Sequence, residues 1–117
     1  MKKSSRIENI EKEEMEVVID YRLIQLCSRC YQALGWAIVS TRLRGSTIKL
    51  TMERNKKIVN RSALYQLQHR CEDAFMELEK LHKLEIKKKY DMNTLKEEVS
   101  RNYDIIYLAC EAAEKLS

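Results

Sequence analysis

The sequence predicts an α+β fold, in which a small three-stranded β-α-β-β sheet is followed by an antiparallel helical hairpin. Short β-branched or alternating segments fill the first half of the 117 residues, and heptad-spaced apolar residues fill the second half. The chain has two glycines and no proline, so it offers no flexible linker. Residues 15–117 are therefore predicted to be one domain, with the sheet in 15–57 and the hairpin in 60–117. Residues 1–14 are predicted to be a polar N-terminal tail or a short helix.

The first strand and the first helix are predicted from residues 15–35. Residues 15–19 are Met-Glu-Val-Val-Ile, a short β-branched run that is typical of a strand. Asp20 fits the N-cap of a helix, and apolar residues recur at helical spacing over residues 21–34. Gly35 follows directly, where a residue in the left-handed conformation commonly ends a helix.

Two further strands are predicted on either side of Gly45. Residues 36–43 are rich in β-branched side chains, and residues 47–54 alternate between apolar and polar side chains, which is typical of a half-buried strand. A tight turn at Gly45 joins them into a β-hairpin. The third strand can lie between the first and the second and pair antiparallel with both. Trp36, at the junction of helix and strand, is predicted to be buried between the sheet and the helix.

Two helices are predicted in the second half of the chain. Apolar residues follow heptad spacing over residues 64–81 and again over residues 95–116. The lysines at 87–89 interrupt this pattern and Thr94 begins a capping box, so a turn and an antiparallel hairpin are predicted. A single continuous helix that pairs with a second chain is the alternative, because the break contains neither proline nor glycine.

Residues 34–40, with the sequence Leu-Gly-Trp-Ala-Ile-Val-Ser, carry a family resemblance. Over residues 15–55 the chain resembles small uncharacterised bacterial β-α-β-β domains, whose mark is a Gly-Trp-Glu-Leu/Ile-Val-Ser segment that opens the second strand. Ala37 stands where those domains have glutamate. The resemblance implies a β-α-β-β fold and a bacterial protein, and it implies no activity, since the family has none established.

Charge is distributed unevenly along the chain. Residues 41–61 contain seven basic residues and one acidic residue, whereas residues 7–20 contain six acidic residues and one basic residue. A basic hairpin of this kind can meet an acidic protein surface or follow a phosphate backbone. The candidate partner-binding or phosphate-binding residues are Arg42, Arg44, Arg54, Lys56, Lys57 and Arg61.

The four cysteines are predicted to pack in the core. Cys27 and Cys30 have the spacing of half a zinc site or of a redox pair, but they lie in the middle of the predicted helix, away from the N-terminus that activates thiols. His69 with Cys71 offers the only other zinc ligands, and no second close cysteine pair exists. Cys110 lies in an apolar stripe and can face Cys71. The sequence therefore predicts no catalytic residue, no metal site and no cofactor.

The sequence predicts a protein without catalytic activity. The favoured function is a small protein-interaction module, namely an adaptor, an oligomer or an inhibitor of a larger assembly, that acts through its helical hairpin and charged surfaces. The alternative is a nucleic-acid-binding accessory protein that contacts phosphate through the basic hairpin around residues 42–61. A protein partner or self-association is expected, whereas a membrane or a small-molecule substrate is not. The lack of a signal peptide and of an apolar run of ~20 residues predicts a cytoplasmic protein.

Overall fold

A computed structural model describes residues 11–87 and 91–116, which form a three-stranded sheet and three helices. The strands are β1 (Lys12–Asp20), β2 (Ala37–Arg44) and β3 (Thr47–Asn55). β3 lies in the centre and pairs antiparallel with both neighbours, so β1 and β2 form the two edges of the sheet. The α+β class predicted from the sequence is confirmed.

β1 begins earlier than the sequence predicts. Residues 12–14 belong to the strand, so their assignment to a polar tail or a short helix was wrong. The reason is a tertiary contact, because the carboxylate of Glu13 accepts a hydrogen bond from Nε of Arg54 at 2.9 Å across the pairing of β1 with β3. A charged residue therefore occupies the inner face of the sheet, which no local pattern predicts. Residues 1–10 of the predicted tail lie outside the described part of the chain.

The strand register assigns side chains to two faces of the sheet, because directly paired residues project to the same side. The inner face packs against the helices and carries the apolar side chains of Met15, Val17, Ile19, Ile48, Leu50 and Met52. The outer face carries mostly polar and charged side chains together with the exposed Val18, and no helix within the described ranges covers it. The sheet is thus half-buried, as the alternation in β3 predicts.

The first helix follows β1 directly. One turn of 3-10 helix, Tyr21–Leu23, leads into α1 (Ile24–Ala33). Asp20 caps this turn, since its carboxylate accepts a hydrogen bond from the backbone N–H of Arg22 at 2.9 Å. Gly35 has a φ of +96°, which confirms the left-handed helix end predicted at this glycine.

The two long helices, α2 (Arg61–Lys87) and α3 (Met92–Leu116), pack together. α3 begins before Thr94, so the prediction that Thr94 caps this helix was wrong. The carboxylate of Asp91 is the cap instead, because it accepts hydrogen bonds from the backbone N–H and from the hydroxyl of Thr94, each at 3.0 Å. Lys88 and Lys89, which belong to the predicted break, lie outside the described residues.

Most residues of the predicted heptad stripes are buried, and three of them, Leu67, Val99 and Leu116, are half-buried. The buried members are Leu64, Cys71, Ala74, Leu78, Leu81, Leu95, Asn102, Ile106, Ala109 and Ala113. Asn102, the polar member, donates a hydrogen bond from its side-chain amide to the carbonyl oxygen of Glu98 at 2.9 Å. Most of the stripe residues therefore pack inside the chain. None of the helices in the described ranges has the length and apolarity that crossing a membrane requires.

Candidate interaction surface

The six basic residues predicted from the sequence do not form one patch. Arg42 and Arg44 lie in β2 beside the turn. The other four lie at the far end of β3 and beyond it, namely Arg54, Lys56, Lys57 and Arg61. Arg42 pairs with Lys49, five positions from Arg54, so at ~3.3 Å per residue the two groups lie at least roughly 15 Å apart along β3. The expectation that all six residues project together was therefore wrong.

Arg54 is a structural residue of the interior. It is 4% exposed, and its guanidinium donates to Oε1 of Glu13 at 2.9 Å and to the carbonyl oxygen of Leu34 at 3.0 Å. The guanidinium also lies 4.3 Å from the centroid of the Trp36 ring, in cation–π contact. Arg54 is thus engaged within the fold and cannot reach a partner.

Arg61 and Lys56 also have partners within the chain. Arg61 forms a two-pronged ion pair with Glu13, and this hydrogen bonding is the main reason that the pKa of Glu13 lies below its usual range. Nζ of Lys56 lies 3.8 Å from Oε2 of Glu11. Lys57 is exposed and forms no ion pair with any residue in the part of the chain that the structure describes. Of the four predicted cations at this end of β3, Lys57 is therefore the one that has no ion pair within residues 11–87 and 91–116.

The two arginines of β2 lie on the outer face of the sheet. Together with Lys49 they surround a shallow cavity of about 260 Å³, which Val18 and Thr47 also line. The register places Arg42 directly opposite Lys49, an arrangement of like charges that destabilises a sheet. Within residues 11–87 and 91–116, neither arginine has an ion pair. Lys49 was not among the predicted site residues, although the alternation in β3 places it on this face.

β2 is an uncovered edge strand. Seven of its eight residues are exposed, and Val39 and Leu43 keep 52% and 60% of their surface in solvent. The register shifts between Ile38 and Ser40, so the strand contains a bulge at Val39. From Ser40 to Arg44 the strand pairs regularly with β3, and no described residue pairs with its other side. This side presents free N–H and C=O groups, as edge strands do.

The opposite edge, β1, borders a groove of about 310 Å³ between the sheet and α2. Val18 and Met76 line this groove and keep 63% and 67% of their surface exposed. Glu72 and Glu79 add two carboxylates to the lining, and the buried ring of Phe75 adds aromatic surface. The groove along β1 is therefore apolar and acidic.

The helical layer has an exposed surface of its own along α3. A cavity of about 490 Å³ between α2 and α3 is lined in part by Leu95, Val99 and Tyr103. The rings of Tyr103 and Tyr107 stack with centroids 6.3 Å apart, and Leu108 is 66% exposed. The lining mixes basic and acidic side chains, so it has no charge signature that identifies a partner.

All four cysteines are buried free thiols, which confirms their predicted place in the core. Three of them meet where the helices converge. Sγ of Cys30 in α1 lies 2.9 Å from Sγ of Cys71 in α2, and Cys110 in α3 adjoins both. Among residues 11–87 and 91–116, no group of three or more histidine, cysteine, aspartate or glutamate side chains is arranged to hold a metal ion. Cys30, Cys71 and Cys110 belong to the apolar core at the point where the three helices meet.

We predict that Cys110 is the first thiol to be alkylated in the native protein. The neighbouring thiols of Cys30 and Cys71 lower the pKa of the Cys110 thiol, whereas burial raises the pKa of Cys27 to about 12. Cys110 is also 6% exposed, and Cys27 is fully covered. Limited treatment with iodoacetamide and peptide mass spectrometry measure the order of labelling. Urea-unfolded protein is the control, in which all thiols should react at similar rates; faster native labelling of Cys27 contradicts the prediction.

No protein-family model matches this chain, and neither a curated protein nor a solved structure matches it. The resemblance of residues 15–55 to small bacterial domains stays a prediction.

Proposed function

We propose that this chain is a small, non-enzymatic protein-interaction module that binds an extended segment of a partner protein along β2. The observation that carries the proposal is the exposure of β2, an edge strand with two arginines that lack a counter-ion in the described ranges. A partner segment would add to the sheet as a fourth strand, with main-chain hydrogen bonds providing the affinity. We further propose a cytoplasmic location, because all four cysteines are free thiols.

The helical layer serves as a rigid support in this proposal. α2 and α3 are proposed to form an antiparallel hairpin, because the side-chain amide of Asn60, just before α2, donates to the carbonyl oxygen of Leu116 at the end of α3 at 3.1 Å. The buried stripes of the two helices hold this layer together from within the chain. A strand edge on such a support is pre-organised, which lowers the entropic cost of binding a segment.

The side chains of β2 define which segment fits. On the outer face, Arg42 and Arg44 favour carboxylates at alternate positions of the added strand. On the inner face, Thr41 and Leu43 favour apolar or β-branched side chains at the intervening positions. The partner segment is therefore proposed to alternate acidic and apolar residues.

A short synthetic peptide that alternates glutamate with valine tests the proposal. We expect calorimetric titration to detect binding to the wild-type protein and a loss of binding in the Thr41→Pro variant. Arg44 and Thr47 flank a two-residue turn and therefore form a hydrogen-bonded pair. Because hydrogen-bonded and non-hydrogen-bonded pairs alternate along the ladder, Arg42 also bonds to β3, whereas the N–H of Thr41 points to the free edge. Proline removes this donor without breaking the pairing with β3.

Two controls make the peptide experiment specific. A peptide with lysine in place of glutamate should not bind, because its charges would face Arg42 and Arg44. A variant with Lys56→Ser and Lys57→Ser, at the far end of β3, should bind the glutamate peptide as the wild type does. Equal binding by the wild type and by Thr41→Pro would contradict strand addition at β2.

Nucleic acid is the second candidate partner, and one observation favours it. Arg42, Arg44 and Lys49 surround a cavity on the open face of the sheet, where three cations can contact a phosphate backbone without reading its sequence. None of the five residues that line this cavity is aromatic, so base stacking is not expected there.

Titration with DNA of random sequence at low and at high salt separates the two candidates. Nucleic-acid binding predicts an affinity that falls steeply with salt and is lost when Arg42 and Arg44 are both replaced by serine. It also predicts normal binding by Thr41→Pro, which keeps the cations. Absence of binding by the wild type at low salt would remove this candidate and leave the strand-binding module.

A further inference from the structure

We propose that the segment which β2 binds is β1 of a second copy, so that the protein assembles head to tail through its two unlike sheet edges. The inference rests on the proposed function of β2 as a strand-binding edge, and it adds the identity of the partner. Three features of β1 point to it, namely a free backbone edge, a matching side-chain pattern and a complementary groove.

β1 has a free side that can accept a strand. The backbone N–H of Tyr21 donates to the carbonyl oxygen of Ser46 at 2.9 Å, and that of Lys56 donates to the carbonyl oxygen of Glu11 at 3.1 Å. Because hydrogen-bonded and non-hydrogen-bonded pairs alternate in an antiparallel ladder, the odd-numbered residues of β1 bond to β3. The even-numbered residues, such as Val18, direct their N–H and C=O groups away from β3, and no described residue pairs with them.

β1 carries the side-chain pattern that β2 favours. Glu14 and Glu16 lie on the outer face of the sheet, where they can meet Arg42 and Arg44 of another copy. The side chain of Glu16 remains 61% exposed, although it lies 3.6 Å from Lys49 of its own chain. The intervening residues on the inner face are Met15, Val17 and Ile19. The acidic–apolar alternation proposed for the partner segment is therefore present in this chain.

The groove beside β1 also complements β2. Met76 exposes apolar surface there, which Leu43 on the inner face of an added β2 would cover. Glu72 and Glu79 also line the groove, on the side of the sheet away from Arg42 and Arg44, so the charge match of the two edges rests on Glu14 and Glu16. The two edges thus match in backbone, in apolar surface and in charge.

Pairing of like edges is disfavoured by the same charges. Two β2 strands would bring their arginines together, and two β1 strands would bring their carboxylates together. Pairing of β2 with β1 is a heterologous contact, which leaves one free edge of each kind at the ends of the assembly. The assembly therefore grows into a chain of copies or closes into a ring as the concentration rises.

Sedimentation velocity on two edge-blocked variants tests the proposal. Thr41→Pro removes an outward N–H from β2, and Val18→Pro removes one from β1; proline is tolerated at such edge positions. The wild type is expected to form larger species as its concentration rises, whereas each variant alone stays monomeric. An equimolar mixture of the two variants should form a one-to-one dimer and nothing larger, because one free β2 and one free β1 remain.

A second pair of variants covers the case in which proline unfolds the sheet. One carries Glu14→Lys with Glu16→Lys, and the other carries Arg42→Glu with Arg44→Glu. Each should be monomeric, because its two edges then carry charges of the same sign. Mixing should restore assembly, since every β1 then meets a β2 of opposite charge. Circular dichroism checks that all variants are folded.

Two outcomes overturn the proposal. One is a wild type that stays monomeric at every concentration. The other is a Val18→Pro variant that still dimerises alone, which would indicate pairing of β2 with β2. A monomeric wild type that nevertheless binds the glutamate–valine peptide would leave the proposed function of β2 intact. A wild type that neither assembles nor binds the peptide would defeat both proposals.

Discussion

Replacing Trp36 with alanine is expected to lower the free energy of unfolding by about 3–5 kcal/mol, the range for large buried aromatic side chains. Trp36 is 5% exposed, which confirms the burial predicted from the sequence. Its Nε1–H donates to Oε1 of Gln68 in α2 at 2.8 Å, while the guanidinium of Arg54 in β3 lies over its ring. Truncation therefore leaves a cavity and an unsatisfied buried acceptor between the sheet and the helices. Urea denaturation followed by circular dichroism measures the loss.

Two matched variants locate the source of this effect. Tyr107→Ala removes an aromatic ring that is 45% exposed, and it should change the free energy of unfolding by no more than about 0.5 kcal/mol. Trp36→Phe keeps a ring but removes the donor to Gln68, and it should cost about 1–3 kcal/mol. A cost below about 1 kcal/mol for Trp36→Ala would mean that the ring contributes little to the core.

Replacing Glu13 with alanine is expected to lower the free energy of unfolding by about 3–5 kcal/mol, the range for breaking a buried ion pair by removing one partner. The side chain of Arg54 is 2% exposed, and Glu13 is its carboxylate partner at 2.9 Å. The variant keeps the hydrogen bond of Arg54 to Leu34 but leaves the buried positive charge without a counter-ion. Urea denaturation of the two proteins measures the difference.

Glu16→Ala is the matched control, because Glu16 lies on the same strand and pairs with Lys49 in solvent. Its cost should be between about 0 and 1 kcal/mol, as for other exposed ion pairs. Adding Arg54→Met to Glu13→Ala should recover part of the loss, since an apolar side chain then replaces the unpaired charge. Equal costs for Glu13→Ala and Glu16→Ala would contradict a buried ion pair.

Acid provides a further check on Glu13. Its pKa is lowered in the folded protein, chiefly by the hydrogen bond from Arg61, so the unfolded state binds the proton more readily. The stability that the carboxylate contributes is present above its usual titration range and is lost as the pH falls through the lowered pKa. The difference between wild type and Glu13→Ala should therefore shrink on acidification.

The elements that the sequence predicts well are those whose signals are local. The alternation in β3 and the stop at Gly35 follow from backbone geometry and from which face meets water. The start of β1 could not be predicted, because Glu13 is held in the strand by Arg54, a residue 41 positions away. The start of α3 was misplaced because Asp91 and Thr94 are both good capping residues, and only the structure distinguishes them.

The candidate surface was predicted only in part, because contacts between residues that are distant in the sequence decide which charges remain exposed. Counting charges along the sequence selected Arg42 and Arg44, which the structure shows as exposed cations of one strand. It also selected Arg54 and Arg61, which both form ion pairs with Glu13 of β1. The formal charge of a segment does not reveal which of its cations have partners elsewhere in the chain. The convergence of cysteines from three helices is likewise a tertiary feature that spacing along the sequence does not encode.

Trp36 is the single tryptophan of the chain, and its position provides an intrinsic optical probe. The indole lies between the cation of Arg54 in the sheet and the amide of Gln68 in α2, so its fluorescence depends on whether these two layers remain docked. Far-ultraviolet circular dichroism instead follows mainly the helices, because they are the longest elements. If the sheet undocks before the helices unwind, the two denaturation curves will separate and unfolding will not be two-state. Superimposable curves would mean that sheet and helices unfold as one cooperative unit.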